Sequence, residues 1–255
     1  MSHTAGIERW RDRVALVTGA SSGIGRAIVH RLAAAGMYVA AVARRSERLR
    51  DFTAECGNDR VLPVIADLRD ESQIAAAFAA MRDEWGGVDV LVNNAGLGHD
   101  APLMSGETSA WREMLDVNVL AAAICTREAV KDMQARGDDG HVIHISSMCG
   151  HRVPASPGIG MYAATKHALR AMAEGLRVEL RDAKSKIRIT QISPGLVETE
   201  FAGKFHQSTE KARKIYSRYD VLQPEDIAEA AITALAAPQH VQVHDILLRP
   251  TEQLS

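Results

Sequence analysis

Val14-Ala15-Leu16-Val17-Thr18-Gly19-Ala20-Ser21-Ser22-Gly23-Ile24-Gly25 decides the fold. Val14 to Thr18 is apolar or β-branched throughout, the composition of a strand buried on both faces. Gly19, Gly23 and Gly25 permit a tight turn, and a helical pattern begins at Ile24. A strand, a glycine-rich turn and a helix in immediate succession bring backbone and helix N-terminal amides close to a pyrophosphate. An ordinary glycine turn is the alternative, and the strand-turn-helix context weakens it. The spacing is G-x-x-x-G-x-G, which differs from the G-x-G-x-x-G of the general dinucleotide fold.

Outward from this turn, short β-branched runs alternate with Ala- and Leu-rich periodic segments along the whole chain, the pattern of a parallel sheet covered by helices. The spacing predicts strands at 14–18, 38–43, 61–66, 88–93, 141–146, 187–193 and 243–248. Helical patterns fall at 24–35, 47–55, 72–85, 109–136, 161–183 and 224–236. Gly36 and Gly86 suit helix stops, and Pro224 a first helical turn. These elements predict one α/β domain over 1–255: a doubly wound, seven-stranded parallel sheet with helices on both faces. The connection 200–223 is far longer than the ~2–6 residues usual in such units and is expected to be a mobile lid over a substrate.

Composition narrows the function. With 255 residues and 46% apolar content the chain can bury one continuous core. Thirty basic and 32 acidic side chains, with no basic stripe, argue against nucleic acid. Residues 1–13 hold no apolar run resembling a signal peptide, and no stretch reaches the ~18 apolar residues of a membrane span, so a cytoplasmic location is expected. Cys56, Cys125 and Cys149 form no C-x-x-C pair and are read as packing residues. His141 and His144, at i and i+3 on a strand, face opposite sides, so no metal is expected. His99 and His151 are candidates for a substrate entrance, and Lys204, Lys211, Arg213, Lys214 and Arg218 make the lid basic.

Where an NAD-binding protein places an acid for the ribose 2′-hydroxyl, this chain has Arg44 and Arg45. Cations there favour a 2′-phosphate, so NADP(H) is expected. Arg50 reads equally as a further contact or a solvated arginine. Asp67, with Leu68 beside it, is placed to accept from an adenine amino group or to cap a turn.

Tyr162 and Lys166 stand at i and i+4 on a helical pattern, on one face. A unit charge ~4 Å from the phenol is worth ~4 kcal/mol at an effective dielectric near 20, enough to move its pKa from ~10 toward ~7. Such a phenol is a good general acid and base.

With Thr18 to Gly25, Asn93-Asn94-Ala95-Gly96, Asn118, Ser147, Tyr162 and Lys166 in this order, the chain resembles the short-chain dehydrogenase/reductase family over almost its whole length. The resemblance implies a Rossmann-type sheet, a nicotinamide across the strand ends, and reversible hydride transfer between a small-molecule carbonyl and its alcohol. It implies Tyr162 as general acid, Ser147 as the hydroxyl on the substrate oxygen, Lys166 as the group that lowers the phenol pKa and binds ribose, and Asn118 as anchor of a water chain. Gly19, Ala20, Ser21, Ser22, Gly23, Ile24, Gly25 and Asn94 would line the cofactor. So would Val197, Glu198, Thr199 and Glu200, near its carboxamide. Ser147 and Tyr162 lie fifteen residues apart, slightly more than the family's usual spacing, which predicts a bulge within 152–160 and leaves Ser146 as an alternative to Ser147.

The strings GIERWRDRVALVTGAS, ICTREA, DDGHVIHISSMCGHRV and LRPTEQ resemble the family's 17-beta-hydroxysteroid dehydrogenase-like group of NADPH-dependent carbonyl reductases. A 3-hydroxy acid dehydrogenase of the same family and a non-catalytic NADPH sensor are the rival readings. Family members pair the helices at 109–136 and 161–183 across subunits, so a homodimer or homotetramer is expected.

Overall fold

The computed structural model describes residues 6–56 and 59–254. Residues 1–5 of the polar N-terminal stretch lie outside it. Seven parallel strands form one sheet in the order β3-β2-β1-β4-β5-β6-β7. They are β1 (Val14–Thr18), β2 (Tyr38–Ala43), β3 (Val61–Ile65), β4 (Val90–Asn93), β5 (His141–Ile145), β6 (Arg188–Pro194) and β7 (Asp245–Leu248). The chain runs outward from β1 to β3, then returns to place β4 on the other side of β1. That reversal leaves a crevice above the carboxyl ends of β1 and β4, where doubly wound sheets take their ligands.

Helices α1 (Gly23–Ala34), α2 (Ser46–Glu55) and α9 (Pro224–Ala236) bury Ile28, Leu32, Leu49, Phe52, Ile227 and Leu235 against one face of the sheet. On the other face lie α3 (Glu71–Trp85), α5 (Ala121–Ala135) and α6 (Gly160–Asp182). Their Phe78, Met81, Cys125, Met133 and Leu180 pack on Leu16, Leu91 and Val142. Because neighbouring strand residues point to opposite faces, Val17 serves the first core and Leu16 the second. Gly86 ends α3 in the left-handed conformation at φ 78°, which a glycine adopts at no steric cost. Pro224 opens α9 beneath a capping box in which Gln223 and Asp226 satisfy each other's backbone amides.

Three features depart from the sequence expectations. Residues Ile7–Trp10 form a short 3-10 helix that seats Trp10 in the core, its indole N–H donating to the Leu235 carbonyl at 2.9 Å. The helix expected at 109–136 is divided into α4 (Thr108–Leu115), a π turn (Asp116–Leu120) and α5, and the π turn carries Asn118. The connection 200–223 is not an irregular insert. It folds as α7 (Phe201–Phe205) and α8 (Thr209–Tyr216), with Ser208 capping α8. Among the described residues no helix is long and apolar enough to cross a membrane.

Candidate active site

A cleft of about 900 Å³ opens above the strand ends. At one end it is walled by Gly19, Ser21, Ser22, Gly23, Ile24, Arg44, Arg45, Asp67, Leu68 and Asn94, and at the other by Ser147, Tyr162 and Lys166; Val197, Thr199 and Glu200 also line it. Residues read from separate motifs thus share one continuous space. Ala20 and Gly25 stand behind it. Ala20 is fully buried and donates its N–H to the Val42 carbonyl, while a Cβ on Gly25 would run into Asn94 Nδ2 and the Gly19 carbonyl. Their side-chain positions pack the turn.

Two further candidates lie outside the cleft wall. Arg50 is exposed on α2 and is not part of the cleft wall, because the helical turn points it to solvent. Arg48 is the arginine of α2 that reaches across, donating to Glu200 at 2.6 Å. Glu198 is exposed and accepts from Gln223 Nε2 at 3.3 Å, facing away from the cleft.

The nucleotide end has the donors an anion requires. Ser22 caps α1 with its backbone only, so its side chain leaves the first amides of the helix without a partner. The Ser21 and Ser22 hydroxyls instead accept from Arg45 Nη2, each at 2.9 Å. Arg44 Nη1 stands 3.9 Å from Asp67 Oδ2, and Asp67 also accepts from Arg69, which holds its carboxyl below the usual range. Gly19 takes φ 67°, and a Cβ there would meet the Ala95 Cα at 2.9 Å. These residues fit the phosphates of a dinucleotide.

At the other end the 3-10 turn Met148–Gly150 follows β5 and carries Ser147 at its cap, the Ser147 Oγ accepting from the Cys149 N–H at 3.1 Å. The Ser147 side chain is also the polar neighbour that draws the Tyr162 phenol's pKa down. Ser146 faces inward, toward the Lys166 carbonyl at 3.4 Å, so Ser147 is the serine of the phenol. The 151–159 segment is an extended loop between the turn and α6, where the extra residues were expected.

Tyr162 and Lys166 project from one face of α6, as their spacing requires, but the electrostatics are the reverse of the expectation. Burial pushes the Tyr162 phenol above its ordinary value, and Ser147 offsets only part of that. The ring is packed by Phe201 and Phe205 of α7, with centroids 5.2 and 6.4 Å away. Lys166 Nζ donates to the Ile145 carbonyl at 3.0 Å, and burial lowers its pKa to about 8. A desolvated ammonium tied to a carbonyl oxygen does not acidify the phenol enough to overcome its own burial.

Asn118 is buried, with Oδ1 accepting from the Leu97 N–H at 2.9 Å and Nδ2 donating to the Leu97 carbonyl at 2.8 Å and to Thr165 Oγ1 at 3.0 Å. It ties the loop after β4 to α6. A Cβ on Gly96 would lie 3.4 Å from Lys166 Nζ and 3.5 Å from Asn118 Oδ1, so this glycine keeps the space between them open.

His99 lines the cleft and pairs with Glu113 at 2.8 Å. His151 does not line it, bonding Ser193 and Asp245 instead. His141 bonds Thr190 and His144 bonds Asn93, and burial lowers the pKa of both. Cys149, expected only to pack, is buried and also borders the cleft. Among the described residues no three His, Cys, Asp or Glu side chains gather as a metal site.

Arg152, Gln253 and Leu254 line the cleft without a sequence signal, while Ile159 and Phe201 come from segments expected near a substrate. Gln253 Oε1 accepts from the Leu196 N–H at 2.9 Å, bringing the chain's last residues onto the loop after β6. The only sequence signal for Phe201 and Phe205 was their place in the long connection.

A phenol, a hydroxyl and an ammonium grouped at one end of a cleft, with anion donors at the other, define an oxidoreductase site for a nicotinamide dinucleotide. The family model for short chain dehydrogenases matches residues 13–237, and the chain belongs to the short-chain dehydrogenase/reductase family. It is 51% identical over 255 residues to dehydrogenase/reductase SDR family member 11 of Bos taurus, covering 98% of this chain and 100% of that one. With farnesol dehydrogenase of Aedes aegypti it shares 41% identity over 248 residues, 96% of this chain and 98% of the relative. The closed form of serine dehydrogenase complexed with NADP+ superposes with a TM-score of 0.89 at 33% identity, covering 95% of this chain and 96% of that one.

Proposed function

We propose that this chain is an NADPH-dependent carbonyl reductase acting on bulky, largely apolar ketones, of the ketosteroid, diketone or quinone kind. The observation that carries the reading is the shared cleft, in which the Tyr162–Ser147 pair faces an apolar wall and Arg44 and Arg45 stand at the opposite end. Leu97, Met148, Ile159 and Phe201 supply that wall, which suits an apolar substrate body. The relative named farnesol dehydrogenase is consistent with such a substrate.

When bound, the reduced nicotinamide supplies the hydride. Tyr162 Oη holds the proton that the new alkoxide oxygen takes, and its raised pKa keeps it protonated at neutral pH. The Ser147 hydroxyl donates to the same oxygen as its negative charge develops. Lys166 Nζ, lowered to about 8, is the nearby ammonium that restores the phenol proton. Asn118 fixes the loop beside this proton path, and α7 shields the ring from water as part of a lid spanning 200–223.

A second reading, a 3-hydroxy acid dehydrogenase, is favoured by Arg152. Among the described residues its guanidinium lines the cleft with no carboxylate partner, and its one side-chain contact is the Met148 sulfur at 3.8 Å. A substrate carboxylate would suit it. The half-exposed Leu115, Leu120 and Val178 lie on the α4–α5 run and on α6, and they support a homodimer or homotetramer formed through those helices.

Purified chain incubated with NADPH and a ketosteroid, a diketone, a quinone or a 3-oxo acid tests the proposal by loss of reduced cofactor absorbance. Turnover of the neutral ketones supports it. Turnover of the oxo acid alone replaces it with the second reading.

A further inference from the structure

Glu200 stands one residue before α7, against the arginines of the nucleotide end. Arg45 Nη1 donates to its Oε2 at 3.0 Å, Arg48 Nη1 donates to its Oε1 at 2.6 Å, and Lys204 Nζ donates to Oε2 at 2.7 Å. These cations hold the Glu200 carboxyl at about 2, so it carries a full negative charge at any working pH. Arg45 is fixed twice over, because its Nη2 is engaged by the Ser21 and Ser22 hydroxyls. All of Ser21, Ser22, Arg45 and Glu200 border the cleft.

A phosphate monoester binds through the same charge-assisted N–H donors as a carboxylate. A dianion placed on Arg45 therefore meets a donor already in use and a like charge beside it. We propose that Glu200 is a specificity-determining residue, an internal carboxylate that competes with a cofactor 2′-phosphate for Arg45. The inference rests on the NADPH reading above. Its consequence is that the chain's preference for the phosphorylated dinucleotide is weaker than its arginines alone would give. The serine hydroxyls are neutral acceptors on a separate loop, so Arg45 stays aimed at the cleft when the charge at position 200 is removed.

Glu200→Gln keeps the shape and an acceptor for Arg48 while abolishing the charge. The side chain is 40% exposed, so solvent screening keeps the effect modest. Calorimetric titration of wild-type and variant chain with NADP+, NAD+, adenosine 2′,5′-bisphosphate and 5′-AMP separates the phosphate from the rest of the cofactor. The two ligands carrying a 2′-phosphate are expected to bind the variant ~5-fold more tightly, with less than a twofold change for NAD+ and 5′-AMP. Weaker binding of the 2′-phosphate ligands, or an equal change for all four, overturns the competition. A wild-type chain that prefers NADP+ together with an indifferent variant removes this inference alone. A wild-type chain that binds NADP+ and NAD+ alike removes both it and the NADPH reading.

Discussion

Lys166 directs its ammonium to a strand end, with Nζ 3.0 Å from the Ile145 carbonyl oxygen and 5.8 Å from the centroid of the Tyr162 ring. The two side chains share a helix face, yet the lysine is tied to the backbone of β5. In the proposed reaction it is a proton neighbour of the phenol more than a charge that forces ionisation.

Tyr162→Phe removes the phenol proton proposed for the substrate oxygen while keeping the ring that packs on Phe201. Turnover is expected to fall by ~100-fold or more, within the range general acids contribute, with NADPH binding retained. Steady-state rates beside a fluorescence titration of the cofactor check it. An active variant would mean that another group is the acid.

The pH profile of reduction follows from the two shifted groups. Burial raises the Tyr162 phenol, so it stays protonated across the neutral range, and lowers Lys166 to about 8. Below that value Lys166 is charged and has a proton to give; above it the proton is lost. The rate of reduction at saturating substrate is therefore expected to be level from about pH 6 to 7 and to decline through about 8. A profile that stays level to pH 10 would take Lys166 out of the proton path.

Arg44→Asp places a carboxylate that would accept from a ribose 2′-hydroxyl and repel a 2′-phosphate. Arg44 is 52% exposed and only 3.9 Å from Asp67, so it is a surface pair whose loss costs the fold little. The ratio of kcat/KM for NADPH to that for NADH is expected to fall ~10- to 100-fold. An unchanged ratio would leave Arg45 as the sole reader of the phosphate.

The sheet was legible because its signals are local. Val14 to Gly25 contains strand, turn and helix start within one window, and β1 and β2 fall where the residue pattern places them. The Tyr162 and Lys166 positions were legible for the same reason. Their electrostatics were not, because desolvation depends on Phe201 and Phe205, which arrive from a distant connection. Gln253 on Leu196, and Trp10 beneath Leu235, are likewise contacts between chain ends and the body that no short window contains. The π turn at Asn118 escaped because one extra residue in a helical turn leaves no mark on apolar periodicity.

Trp10→Ala tests the N-terminal anchor. The indole is fully buried and its N–H is bonded, so truncation leaves a large cavity and takes from the Leu235 carbonyl the nearer of two donors, the other being Arg188 Nη2 at 3.4 Å. A loss of ~3–5 kcal/mol of stability is expected, read as a lower denaturant midpoint with the cleft chemistry unaltered in the folded fraction. A loss below ~1 kcal/mol would show that the 3-10 helix docks too loosely to matter.

Gly98 is where α7 meets the phenol ring. A Cβ there would stand 2.8 Å from Phe205 Cδ2, 2.9 Å from Phe201 Cζ and 3.1 Å from Tyr162 Cδ2, so Gly98→Ala forces the aromatic pair away from the ring or shifts the ring itself. Displacing a reacting group by a fraction of an ångström lowers kcat/KM, here by ~10- to 100-fold, while a site on the cleft wall leaves the sheet core intact. The melting temperature should thus move little. Because the clash is steric, adding Phe205→Ala should restore part of the lost activity by making room for the methyl group. If Gly98→Ala is as active as the wild type, the aromatic contact is not what positions Tyr162. If the double variant is no better than the single, the loss arises from the loop backbone and not from α7.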